Sequence, residues 1–549
     1  MNRILIPDCL KRAGFVVSAL GALCIGGCVV GPNYHPPRME MPTGFDGSWQ
    51  AGSTTAATRP GADTRPSSAT QPSTASNQPP DLTHWWHSLD DPELDSLVDR
   101  AVAGNLDLRM AATRLQQARE LEYATGGGIV PGIGGVPSIN MSVGAGRGSG
   151  TNSARGRVDA PLHAGTNTAG LSEITHVAGF DSAWELDLFG RFSRELEASR
   201  ADTQAAMEAR NEMVVILVGE VVRTYSDLRA LQLRLEIARE NAASQGRITD
   251  LVRLKFQQQL GRELDVALAE RQLATSQAKI APIEAAVSEA ERALAVLLGK
   301  YPEQLRAELE EVSPLPATPP QVGLGMPIQL LRRRPDIRRA ERELAASTAR
   351  IGVATANLFP RVALTGGAGF QGQGLGRTPV VNSMVWSIGP SFYWPFLDFG
   401  TLDALVRVQD FRTQELYFGY RATVINAVRE VDDAISNYSA QQSQLSQLAT
   451  AVNASRRAAK LAEQGWTLGL VDFLYVLDAQ NQLYALEDQY AVAQEAVIQD
   501  FILLYKALGG GWEGYEAPPP PHAPLPAIFA AGARTIGHKG ATGRPDSPE

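Results

Sequence analysis

The sequence predicts a mixed α and β chain built by internal duplication, each half carrying a short strand hairpin followed by a long helical hairpin. Three observations support this. Residues 191–259 read as one uninterrupted helix, with no proline and only Gly219 and Gly246 inside it. About 210 residues later the same motifs return: Trp184, Phe189 and Gly190 recur as Trp394, Phe399 and Gly400, and Ala269-Glu270-Arg271-Gln272-Leu273 as Ala479-Gln480-Asn481-Gln482-Leu483. Between the helices lie four segments whose apolar residues alternate instead of recurring at helical spacing.

At the start of the chain, Arg3, Lys11 and Arg12 precede an apolar run from Gly14 to Gly27. That is the pattern of an export signal over residues 1–27, too short and too rich in glycine for a membrane span. All three cysteines lie within the first 28 residues, so a chain processed before Cys28 can form no internal disulfide. Processing removes three basic side chains and Asp8, taking the formal charge from −9 to −11. An acidic chain without basic runs argues against nucleic acid as a partner. Residues 28–84 include a stretch of Ser, Thr, Ala, Pro and Gly from about Gln50 to Pro80, which predicts a flexible tether.

The first repeat, residues 85–300, begins at Trp85-Trp86 and continues as an amphipathic helix expected from Pro92 to Tyr123. Strands follow over 138–146 and 173–188, joined by a polar loop at 150–170. The long arm 191–259 places Val214, Leu217, Val218, Val221, Tyr225 and Leu228 at helical spacing, and a second arm from Arg262 to Leu298 returns along it. Leu273, Ile280, Val287 and Leu294 stand seven apart on that return arm and form its seam. The second repeat, residues 301–512, supplies strands over 362–370 and 382–399, a long arm from Thr401 to Gln464 and a return arm from Val471 to Leu508. Residues 513–549 read as a disordered Pro/Gly tail.

Each strand has the length of a membrane-spanning one, and Trp184, Phe189, Trp394, Phe396 and Phe399 crowd the strand ends as in an interfacial girdle. A soluble four-stranded sheet is the alternative, but long helices flank each hairpin. Four strands cannot close a barrel, and lipid does not tolerate an open sheet edge, so a spanning sheet requires oligomerisation. A dimer, a trimer and a tetramer all satisfy that requirement. Catalysis finds no support: no histidine lies in the long arms, and no HExxH, CxxC, GxSxG or GxxxxGK[ST] pattern occurs. No metal-ligating set is expected, and the Gly126–Gly135 stretch precedes a strand, as a turn does, where a phosphate loop precedes a helix.

Several motifs in order resemble the TolC-like outer-membrane factors, in particular the lipoprotein channels of RND-type efflux pumps. They are Gly27-Cys28-Val29-Val30-Gly31-Pro32-Asn33-Tyr34, Phe180-Asp181-Ser182-Ala183-Trp184-Glu185-Leu186-Asp187-Leu188-Phe189-Gly190-Arg191, Arg333-Arg334-Pro335-Asp336-Ile337 and Leu477-Asp478-Ala479-Gln480. The resemblance runs from about Cys28 to Trp512 and implies a homotrimer. Its outer-membrane β-barrel, four strands per chain, would continue as a long α-helical periplasmic barrel. It implies an exit duct working with a periplasmic adaptor and an inner-membrane RND pump; a channel for type I protein secretion or metal-ion efflux would share the architecture. The run Leu23-Cys24-Ile25-Gly26-Gly27-Cys28 resembles a bacterial lipobox, which implies a diacylglycerol and an acyl chain on Cys28 and no other cofactor. Val29, in place of the aspartate that favours inner-membrane retention, implies sorting to the outer membrane. The hairpin tips, Leu260, Gly261, Leu264 and Asp265 with Leu468, Gly469, Leu470 and Asp472, are expected to dock the adaptor, a small residue reversing the chain and apolar neighbours offering contact area. Leu474 and Asp478, four apart on one helix face, match positions that resemble the constricting rings of the family.

Overall fold

The computed structural model describes residues 29–39, 82–127, 140–148, 173–309, 313–318, 333–374, 383–515 and 517–520. The signal segment, Cys28, most of the tether, the 150–170 loop and residues beyond 520 lie outside the described residues. In chain order the elements are a 3-10 turn (Trp85–Leu89), α1 (Pro92–Gly104), α2 (Leu106–Gly127), β1 (Asn140–Gly148), β2 (Glu173–Leu186) and α3 (Arg191–Gln257). They continue with α4 (Glu263–Ala278), α5 (Ile280–Leu297), α6 (Glu303–Leu309), α7 (Pro335–Ala356), β3 (Arg361–Gly374), β4 (Ser383–Tyr393), α8 (Thr401–Thr467) and α9 (Phe473–Ala507).

The two long helices are each 67 residues, which at 1.5 Å per residue is about 100 Å. Both begin after a left-handed glycine, Gly190 at φ 76° and Gly400 at φ 84°. A carboxylate caps each start: Asp187 accepts from the N–H groups of Phe192 and Ser193 at 3.1 and 2.9 Å, and Asp398 accepts from Leu402 at 2.7 Å.

Three expectations require correction. The helix expected over 92–123 is two, because Asn105 stops α1 and caps α2: its side chain accepts from the Leu108 N–H and donates to the Leu297 carbonyl, both at 2.9 Å. The first return arm is also broken, at Lys279. Pro282 is the cause, since its ring excludes the carbonyl four residues earlier, that of Ala278, where α4 ends. The equivalent arm α9 has no proline and runs 35 residues unbroken. Finally, order does not stop at Trp512. Tyr515 stacks on Trp86 and donates to Asp99 at 2.9 Å, and the carbonyls of Pro518 and Pro519 accept from Arg119 and Gln116.

The four strands form one antiparallel sheet in the order β1-β2-β3-β4. Register sorts the described side chains into two faces. Phe180 pairs with Ala368 and Ala368 with Trp386; Trp184 pairs with Leu364 and Leu364 with Pro390. Together with Phe370, Met384, Ile388 and Phe392 these make an apolar face with little of its own chain on it; Trp386 is 70% exposed. The opposite face carries Asp181, Ala183, Glu185, Thr365, Gly367, Ser387 and Ser391, which are small or polar. That alternation suits a wall with lipid on one side and water on the other.

The main core lies where α1 and the Trp85-Trp86 turn meet Val214, Val218, Val221 and Tyr225 of α3, Val424, Val431 and Ile435 of α8, and Val497, Phe501 and Tyr505 of α9. Trp85 stacks on Tyr505 with centroids 5.2 Å apart. At the rim of this core, Gln499 donates to both Asp227 and Glu495 at 2.9 Å, and Arg223 pairs with Asp227 at 2.7 Å. Burial, followed by the neighbouring Asp227 carboxylate, pushes the Glu495 carboxyl up to about 7, and burial also raises that of Asp227. The folded chain therefore keeps a proton that the unfolded chain releases from an ordinary glutamate near 4.5. The stability this provides is complete below that pH and declines as pH rises towards 7. Glu495→Gln is expected to flatten the decline, read as the difference in denaturation midpoint between about pH 5 and about pH 7.5.

Candidate functional site

The far ends of the two hairpins repeat one turn. Leu260 N–H donates to Lys255 O at 2.8 Å, and Leu470 N–H to Gly465 O at 2.8 Å. Both are six-to-one helix-ending bonds that require a left-handed residue just inside them. In the second tip that residue is Gly469 at φ 76°; in the first it is Gln259 at φ 60°. Gly261 is therefore not the reversing residue that its position suggested. Leu260, Leu264, Leu468 and Leu470 stand exposed at the tips. Asp265 does not: it is buried and held by Arg262, whose Nε lies 3.2 Å from its Oδ2.

The same Arg262 reaches Asp472 at 2.9 Å and so ties the two hairpin tips together. A second tie is the Lys255 ammonium, 3.9 Å above the Trp466 ring and 3.3 Å from the Trp466 carbonyl. Behind them Ile248, Val252, Ala269, Phe473 and Val476 form a small core of their own. Sequence reasoning missed Arg262, Lys255 and Trp466, although Arg262 and Asp472 occupy equivalent positions of the two repeats and carry opposite charge.

Along α9, Phe473, Val476, Leu477 and Gln480 form the buried side, with Gln245 donating to Gln480 at 2.9 Å. Leu474, Tyr475 and Asp478 lie on the other side and are exposed, Leu474 at 53%. Leu474 therefore has no part in the seam within the chain.

Cys28 lies outside the described residues, but the segment after it is firmly held. Val30 N–H donates to Phe189 O at 3.2 Å, and Arg194 binds Val30 O, Gly31 O and Asn33 Oδ1 at 3.0, 3.2 and 2.8 Å. Gly31 has φ +88°, and a Cβ there would stand 2.4 Å from the Cα of Gly352. These contacts pin residues 29–33 beside Gly190, at the junction of β2 and α3.

Residues 97–300 and 326–510 match the family described as outer membrane efflux protein. The chain is 28% identical over 493 residues to nodulation protein T of Rhizobium leguminosarum bv. trifolii, covering 89% of this chain and 96% of the relative. It is 30% identical over 430 residues to the pyoverdine export outer membrane protein OpmQ of Pseudomonas putida, covering 78% of this chain and 88% of the relative. Among solved structures the outer-membrane channel OprN superposes with a TM-score of 0.74 at 35% identity, over 88% of this chain and all of that one. The fold is that of the trimeric outer-membrane channels, with four strands per chain contributed to a β-barrel and the long helices continuing it as a periplasmic barrel. On the sequence match over both repeats and the structural match over 88% of the chain, this protein belongs to the outer membrane efflux protein family.

Proposed function

We propose that the chain is the exit duct of a tripartite efflux system, passively conducting drugs or other small molecules passed on by an inner-membrane RND pump through a periplasmic adaptor. The observation that supports this best is the two-faced sheet running directly into paired 67-residue helices. One continuous wall crosses lipid and then spans a distance of about 100 Å. The exposed leucines at the tips are the docking surface for the adaptor, and the Leu474 and Asp478 rings narrow the duct at that end. A trimer that migrates intact in unheated outer-membrane samples and dissociates on heating is the expected result. A monomer in the soluble periplasmic fraction would contradict the reading.

The second part of the proposal is that Cys28 carries the diacylglycerol and acyl chain of a lipoprotein. The pinning of residues 29–33 at the strand–helix junction supports it, because that junction is where the barrel leaves the membrane and where an anchor would meet the leaflet. Each buried methylene adds about 0.8 kcal/mol, so several acyl chains make the anchor effectively irreversible. Intact-mass measurement is expected to show residues 1–27 removed and the new N-terminus triacylated; an unmodified N-terminus would refute it.

A further inference from the structure

Residues 29–39 belong to neither repeat, yet they lie extended in a groove whose two walls come from different repeats. One wall is the start of α3, where Phe189 O accepts from Val30 N–H and Arg194 donates to Val30 O, Gly31 O and Asn33 Oδ1. The other wall is α7. Tyr34 donates to Glu341 Oε1 at 3.3 Å and packs on Ala345 and Ala346 of α7 together with Ala201 of α3. Gly31 sits against Gly352 near the end of α7. Further along, Met39 packs on the main core, where the chain also re-enters the described residues at Leu82.

The groove is shaped for this occupant. Three glycines from three parts of the chain interlock. A Cβ at Gly190 would stand 2.8 Å from Val29 Cα, one at Gly31 2.4 Å from Gly352 Cα, and one at Gly352 2.8 Å from Arg194 Cγ. Gly31 also has φ +88°, so both conformation and space require glycine there. Arg194 is 3% exposed. Its Nε and Nη2 serve the peptide, and its Nη1 donates to Glu197 at 2.7 Å. Removing the peptide strips a nearly buried guanidinium of three partners, which costs more than the hydrogen bonds themselves contribute. The duplication shows that this groove is no by-product of the repeat. Helices α3 and α8 correspond with a shift of 210 residues, and α2 and α7, each 22 residues long, with a shift of 229. The counterpart of Arg194 is Ala404, and that of Gly352 is Tyr123. Neither the arginine nor the gap is needed by the architecture that the repeats share.

We infer that residues 29–34 are a docked peptide, bound in the groove between the repeats by their own contacts and not by continuity with the rest of the chain. The groove thereby moors the N-terminal anchor at the β2–α3 junction. It recognises an extended backbone through Arg194, a glycine at residue 31 through the Gly352 gap, and a tyrosine at residue 34 through Glu341 and the alanine cluster. The covalent path through residues 40–81 is then not needed to hold the anchor on the channel. The mooring rests on the acylated reading of Cys28; the docking does not.

The test uses the full chain with a recognition site for a sequence-specific protease inserted between Thr70 and Gln71. Cutting removes the high effective concentration that chain continuity provides, so only the groove can retain the peptide. Purified channels, cut in detergent and washed with excess empty micelles into which an acyl chain alone exchanges, are expected to keep the segment 28–70 through size exclusion, read by mass. Gly31→Leu alters the peptide and leaves the groove intact, and should reduce retention severalfold. Arg194→Ala should do the same from the groove side. Loss of the segment from the unsubstituted cut chain, or equal retention with Gly31→Leu, would overturn the docking. A retained segment whose Cys28 carries no acyl chain would overturn the acylated reading and the mooring with it, while leaving the docking in place.

Discussion

Leu474→Ala combined with Asp478→Ala is expected to raise single-channel conductance severalfold in planar bilayers and to make cells leakier to large antibiotics, with trimer yield unchanged. The two residues share one exposed side of α9, one turn apart, while Phe473, Val476 and Leu477 hold the helix from the other side. Truncation therefore removes nothing from the buried seam. Under the proposed gate, a trimer would present three leucines and three carboxylates to the lumen. Like charges converging there repel one another and attract cations, so the carboxylates cannot by themselves hold the end shut. Within one chain, Arg262–Asp472 and Lys255–Trp466 tie the two hairpin tips together; under the proposed gate, these ties and the apolar Leu474 ring would oppose opening. Loss of cation preference should accompany the conductance rise if Asp478 lines the duct as proposed. A double variant whose conductance and selectivity match the parent would move the constriction to other residues.

The second large effect is expected at the tip. Gly469→Arg with Leu470→Glu should abolish efflux and leave trimers in the outer membrane. Leu470 is exposed and the nearest core, built on Ile248, Val252 and Phe473, does not include it. A side chain at residue 469 has room, but its φ of 76° adds about 1–2 kcal/mol of backbone strain. Leu470→Glu alone separates the two effects: it imposes no left-handed strain, and should still lose most transport if the tip leucines contact the adaptor. Unchanged drug resistance in both variants, with normal trimer levels, would count against docking at this surface.

Much of this architecture was legible in the sequence because its signals are long-range and redundant. A 67-residue helix without proline, and a repeat that returns Trp184, Phe189 and Gly190 at a fixed distance, leave few alternatives. The strand limits came within about four residues except at the end of β4, expected at 399 and found at Tyr393: Pro395 has no N–H to give a ladder, so the strand stops short of the aromatic run. The misreadings were local. Asn105 looks like an ordinary helix residue until its side chain is seen capping α2. Pro282 stood in a heptad seam whose periodicity outweighed it, yet a missing N–H and a ring clash end a helix whatever its neighbours are. Gly261 attracted the turn assignment because glycine is the usual left-handed residue, whereas Gln259 occupies that conformation. At the site, Leu474 and Asp478 could be placed on one face from spacing. The Arg262–Asp472 tie could not, because it joins residues far apart in the chain whose approach depends on how the two hairpins lie together.

The central claim is that this chain provides the outward path for small molecules brought to it by a pump. The most direct measurement is intracellular accumulation of a fluorescent pump substrate in a strain lacking this gene, with its neighbouring pump genes intact, before and after the full chain is restored. Accumulation should rise severalfold on deletion, return to the parental level with the full chain, and stay high with the Gly469→Arg, Leu470→Glu variant. Equal accumulation in the parent and the deletion strain, with the pump expressed and no second outer-membrane channel replacing this one, would contradict the account.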